Sequence, residues 1–109
     1  MSEPAAEALV VLVTAPSAEQ AAELGRALVS ERLAACASVV PGIRSIYRWE
    51  GAVQDEAEAL LVLKTTRARF QALRDRVLAL HPYRVPEVLA LGVEAGSREY
   101  LEWLAGAVE

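Results

Sequence analysis

Apolar and polar residues change their period several times along the chain, and the changes mark its elements. Leu9 to Val13 is an unbroken apolar run with three valines, a pattern that predicts a strand buried on both faces. Pro16 ends it, because proline cannot donate to a ladder. Ser17-Ala18-Glu19-Gln20 then reads as a capping box opening a helix. Its stripe is Ala21, Leu24 and Leu28, with Glu19, Glu23, Arg26 and Ser30 facing away. This helix is expected to fade between Leu33 and Ala35.

The stretch from Ala35 to Thr65 is the most informative. Cys36 to Val40 is β-prone, and Pro41-Gly42 within it marks a bend or bulge on an edge strand. Period two then returns, with Ile43, Ser45, Tyr47 and Trp49 on one face and Arg44, Ile46 and Arg48 on the other. Glu50-Gly51 makes the turn, Gly51 supplying positive φ. On the return strand Ala57, Ala59, Leu61 and Leu63 share one face, and Glu56, Glu58, Leu60, Val62 and Lys64 the other. Each arm runs for about 13 residues, or roughly 43 Å at strand rise. No core of a 109-residue chain is that wide. The distal half must overhang, and a two-stranded ribbon alone in water is marginal, so another subunit is expected to pack on it.

Thr66 is placed to cap a second helix with Phe70, Leu73, Val77 and Leu80 as its stripe. His81-Pro82 stops it, since a residue before proline avoids the helical region. Glu87 to Val93 reads as a fourth strand, and Ser97 opens a short last helix lined by Tyr100, Leu101, Leu104 and Val108. The order β-α-β-β-α-β predicts an α+β, ferredoxin-like βαββαβ sandwich with a long central hairpin and an extra C-terminal helix. Residues 1–7 are expected to be a flexible tail, and residues 8–109 one domain.

Composition narrows the function. Fifteen acids against 11 bases give a net charge of −4, without the positive footprint that nucleic acid requires. Arg67, Arg69, Arg74 and Arg76 interleave with Phe70, Leu73 and Val77 and read as a solvated helix face. Ala8 to Val13, the longest apolar run, is far short of the ~20 residues that span a bilayer, so no membrane role is expected. The start, Met-Ser-Glu-Pro, lacks the positive stretch of a signal peptide. A single cysteine, Cys36, precludes an intrachain disulfide and fits a reducing compartment, so the expected location is cytoplasmic. A hydrophobic fraction of 54% is high for a small monomer and argues for assembly.

Ala34-Ala35-Cys36 leading to Pro41-Gly42, then Ser45-Ile46-Tyr47-Arg48-Trp49-Glu50-Gly51, Lys64-Thr65-Thr66, His81-Pro82-Tyr83 with Pro86-Glu87, and Glu99-Tyr100-Leu101-Glu102-Trp103-Leu104 stand in one order. Together they resemble the CutA (divalent-cation tolerance) family, over about Leu9 to Leu104. The resemblance implies a homotrimer whose hairpins pair between subunits, similar to the PII signalling proteins, and binding of copper or another divalent cation. His81 stands where relatives with a copper site carry a histidine. Some relatives also have a histidine where this chain has Leu80, and a cysteine where it has Val13. His81 and Cys36 are the metal candidates that remain, imidazole and thiolate both suiting copper. Against this, His81 also suits a helix C-terminus, and Cys36 a small buried apolar site.

Tyr47, Trp49, Gln54, Lys64, Tyr83 and Glu87 fall in the same motifs. They read either as the lining of an intersubunit ligand cleft or as interface packing and ion pairs. The leading expectation is therefore a homotrimeric divalent-cation tolerance protein that binds a metal ion. The alternative is a PII-like trimer reading a small metabolite without metal. No enzyme activity is expected: the chain has no asparagine and no Gly-rich anion loop for acylphosphatase-like chemistry. Its middle strands are aliphatic where an RNA-binding sheet would carry stacking aromatics.

Overall fold

The computed structural model describes residues 7–109, so the expected tail, apart from Glu7, lies outside the described residues. Seven elements follow: β1 (Ala8–Ala15), α1 (Ala18–Ser30), β2 (Cys36–Trp49), β3 (Ala52–Thr66), α2 (Arg67–Leu80), β4 (Leu89–Gly92) and α3 (Arg98–Ala107). The strands form one antiparallel sheet in the order β2-β3-β1-β4. This is the expected α+β, ferredoxin-like arrangement.

One face of the sheet carries the core. Leu9, Val11, Val13 and Ala15 of β1 lie directly opposite Thr65, Leu63, Leu61 and Ala59 of β3. Ala21, Leu24 and Leu28 of α1 and Leu73 and Val77 of α2 close over the same hydrophobic cluster. Gly25 lets α1 settle on the strands, since a Cβ there would stand 2.8 Å from the Ala37 Cβ and 3.2 Å from Leu61 Cδ1. Leu80, expected on the α2 stripe, is instead exposed as the last residue of the helix, and the buried neighbour there is His81.

The helix ends depart from expectation in detail. Ser17 accepts from the Gln20 backbone N–H at 3.1 Å. The Gln20 side chain does not return a bond to the Ser17 backbone; it meets the Ser17 hydroxyl at 3.4 Å, so only half the box forms. Helix α1 stops at Ser30, where Arg32 at φ 62° turns the chain and both Leu33 and Ala34 donate to the Leu28 carbonyl. Thr66 and Ser97 occupy N-cap positions without a side-chain cap bond. The α2 arginines are partnered rather than merely solvated: Arg67 pairs with Glu7, Arg69 donates to the Val108 carbonyl, Arg74 pairs with Asp75 and Arg76 with Glu31.

The second face corrects the reading of β1 as buried on both sides. Val10, Leu12 and Thr14 are only half-buried, because neither α1 nor α2 lies over them. Their neighbours on this face are Lys64, Val62 and Leu60 of β3, and Leu91 and Leu89 of β4. Helix α3 closes the Ala8 end, where Ala8, Leu104 and Val108 pack with Val93 and Leu101. Strand β4 is shorter than expected, since residues 81–88 first cross the other end of the sheet.

The hairpin overhangs as its length requires, drawing the molecule out to 51 × 25 × 22 Å. The β2–β3 register shifts between Val40 and Ile43, and Gly42 has φ 72°, so Pro41-Gly42 is the expected bulge. At the tip Glu50 and Gly51 both have positive φ, 51° and 81°, as a two-residue turn matched to strand twist demands.

Candidate functional site

Beyond the bulge, Ile43, Ser45, Tyr47 and Trp49 pair with Glu58, Glu56, Gln54 and Ala52, so their side chains continue the second face of the sheet. Residues 81–88 run across the root of this ribbon as a strap. Between strap and ribbon lies a cleft of about 550 Å³. Tyr47, Trp49, Glu56 and Glu58 line its ribbon side, and Tyr83, Arg84 and Glu87 its strap side.

His81 anchors the strap. It is the C-cap of α2 and only 8% exposed. Its Nε2 lies 2.7 Å from the Thr14 carbonyl oxygen, and its Nδ1 accepts the Tyr83 backbone N–H at 3.1 Å. A carbonyl can only accept and an N–H only donate, so both bonds require the neutral ring with its proton on Nε2. The His81 and Tyr83 rings also meet, with centroids 4.7 Å apart.

Two tyrosine–carboxylate pairs order the cleft floor. The Tyr83 hydroxyl donates to Glu58, itself only 8% exposed, and the Tyr47 hydroxyl donates to Glu56 at 2.9 Å. Burial, reinforced by the bond to Glu58, pushes the Tyr83 hydroxyl well above the usual tyrosine range. The bond to Glu56 raises Tyr47 in the same direction. Glu87 is raised by burial and then by the nearby charge of Glu58. Arg84 crosses above, its guanidinium carbon 5.5 Å from the centre of the Trp49 ring and its Nη2 3.9 Å from Glu50.

The sequence-selected residues thus divide. Tyr47, Trp49, Tyr83 and Glu87 meet in the cleft; Gln54 sits across from Tyr47 but outside the lining. Lys64 and Cys36 pair at the far end of the sheet, with Lys64 Nζ 3.8 Å from Cys36 Sγ. His81 belongs to the Thr14 end of β1, four residues from Val10, which faces Lys64. That is roughly 13 Å along the strand, and two strands lie across the sheet. Glu56, Glu58 and Arg84 were not singled out from the sequence. Alternation alone puts both glutamates on the face of Tyr47, but nothing local announces that the strap crosses there.

A resident metal fits these residues poorly within one chain. His81 has no lone pair to spare, because one nitrogen carries the proton and the other accepts the Tyr83 N–H. The Cys36 thiol faces an ammonium, which opposes a bound cation. Among the described residues no three His, Cys, Asp or Glu side chains gather closely enough to hold an ion. No helix among those residues is long and apolar enough to cross a membrane.

Comparison with known proteins agrees with the topology. The family model for the CutA1 divalent ion tolerance protein matches residues 9–107. The chain is 57% identical to the divalent-cation tolerance protein CutA of Thermus thermophilus over 95 residues, 87% of this chain and 92% of that protein. It is 50% identical to the chloroplastic protein CutA 1 of Oryza sativa over 88% of this chain but 54% of the longer plant protein. Solved structures agree: the Thermus thermophilus protein superposes with TM-score 0.91 at 53% identity, covering 94% and 99% of the two chains. CutA1 from Oryza sativa superposes with TM-score 0.93 at 45% identity, covering 98% of each. With nearly its whole length matched in sequence and in fold, the chain belongs to the CutA divalent-cation tolerance family.

Proposed function

We propose that the protein serves its family's divalent-cation role as a homotrimer whose clefts bind a small ligand, rather than through a copper centre resident on His81 and Cys36. The cleft carries this reading. Its volume of about 550 Å³ lies in the range of small-molecule pockets and far exceeds the needs of a bare ion. The overhanging hairpin and the half-covered second face support assembly, since each leaves apolar surface that a second copy would cover. A single cysteine, which leaves no intrachain disulfide to form, is consistent with a cytoplasmic setting.

A second reading keeps copper or another divalent ion as the ligand, with donors drawn from two chains. The carboxylates of Glu56, Glu58 and Glu87 along one cleft favour it. Native mass spectrometry is expected to show a trimer at micromolar protomer, and a monomer there would remove the assembly. Anaerobic calorimetric titration with copper(II) tests whether His81 and Cys36 form a copper centre. The His81→Ala, Cys36→Ser double variant is expected to bind copper as the parent does. Loss of binding in that variant alone would restore the two residues as the metal site.

A further inference from the structure

We propose that the cleft is a receptor for an organic ammonium, and that Arg84 is the chain's own occupant of it. The inference deepens the small-ligand reading above and rests on it. Three aromatic rings, Tyr47, Trp49 and Tyr83, and three carboxylates, Glu56, Glu58 and Glu87, line one cavity. Arg84 is the one base among the lining residues, and it is turned away from these acids toward Glu50 at the hairpin tip. The cleft therefore presents negative charge beside electron-rich ring faces. An anionic metabolite meets repulsion there, and a bare metal ion leaves the aromatic walls without a role. Primary and partly alkylated ammonium groups use both features, because ring faces attract a cation and carboxylates accept its N–H donors, while a quaternary group uses the rings and the negative charge without hydrogen bonds.

The position of Arg84 shows that the Trp49 face accepts a cation. Its guanidinium stacks there at 5.5 Å, yet within the single chain its side chain is 76% exposed, so no packing within its own chain holds it over the ring. A ligand with two or more ammonium groups would replace it over Trp49 and place a second charge near Glu58 and Glu87. That second charge would sit between two carboxylates of the same cleft lining, where burial first and the charge of Glu58 second already raise the Glu87 carboxyl.

Titration of the full, assembled chain tests this. The sequence has two tryptophans, so a Trp103→Phe background leaves Trp49 as the sole indole reporter. Spermidine and tetramethylammonium are titrated at constant ionic strength, with ATP as the anionic counterpart, and calorimetry gives a readout independent of Trp49. Spermidine is expected to change Trp49 emission saturably. Arg84→Ala should tighten it by about three- to tenfold by removing the internal competitor, while Glu87→Gln should weaken it by a similar factor. An unchanged or weakened affinity in Arg84→Ala overturns the proposal, as does the absence of saturation by either ammonium. If ATP saturates and the ammonium compounds do not, the ammonium assignment falls while the small-ligand reading stands. If none of them binds by either readout, both fall. Circular dichroism on each variant confirms that the fold persists.

Discussion

The two faces of the sheet are made by alternate residues of the same strands, yet they meet different surroundings. On the helix side Val11, Val13, Leu61 and Leu63 are completely buried under α1 and α2. On the other side α3 closes one end and the strap crosses the other. Between them Leu89 and Leu91 remain 57% and 53% exposed. The first face is therefore occupied with holding the chain together. The second carries every group with chemical possibilities: the acidic aromatic cleft, the Cys36–Lys64 pair and an apolar middle. In a domain this small the core uses one face of the sheet, which leaves the other free for binding or assembly.

That contrast can be broken most directly by truncation on each side. Leu61→Ala should cost about 2–5 kcal/mol, the usual penalty for a buried leucine whose cavity cannot collapse. Leu91→Ala should cost far less in urea unfolding at dilute protomer, and should instead weaken the dependence of stability on concentration. Equal losses in both would mean that the second face is also part of the single-chain core.

His81→Ala tests whether the strap is tied to the sheet through this ring. It leaves the Thr14 carbonyl and the Tyr83 N–H without their partner, and should cost about 1–3 kcal/mol. Hydrogen exchange should show faster exchange across residues 81–88 with protection of β1 and β3 retained; uniform loss of protection would argue that the ring supports the whole core.

A smaller effect concerns pH. Folding holds the Tyr83 proton more tightly than the unfolded chain does, so its contribution is complete below about pH 10, where free tyrosine ionises. It is lost as pH rises toward the higher folded value. Tyr83→Phe should flatten this alkaline decline in the unfolding midpoint, and an unaltered decline would assign it to other groups.

Much of the architecture was legible because period and punctuation act locally. The Pro41-Gly42 bulge, the Glu50-Gly51 turn and the overhang each follow from a few adjacent residues and a length. What was not legible depends on contacts distant in sequence. Val10 and Leu12 look as apolar as Val11 and Val13, and only the absence of a helix above them makes them half-exposed. His81 looks like a ligand until Thr14, 67 positions earlier, takes up its ring N–H. Glu58 looks like a solvated ribbon charge until Tyr83 folds over it. Thr66 and Ser97 have good capping chemistry, yet neither side chain makes a cap bond, because backbone position alone does not fix a rotamer.

The bulge has one more consequence, for the geometry of self-association. Strand β2 lies on the outer edge of the sheet, and its distal half projects past the body that bears the uncovered face. Projection and face are unlike surfaces, so copies that join through them do so head to tail. Such contacts close into a ring only when the rotation between neighbours divides a full turn; otherwise they run on as a filament. The extra residue at Pro41-Gly42 bends and twists the ribbon just where it leaves its own subunit. In an assembly built this way, that bend would set the angle at which the next copy is met, and so decide between a finite ring and an open polymer.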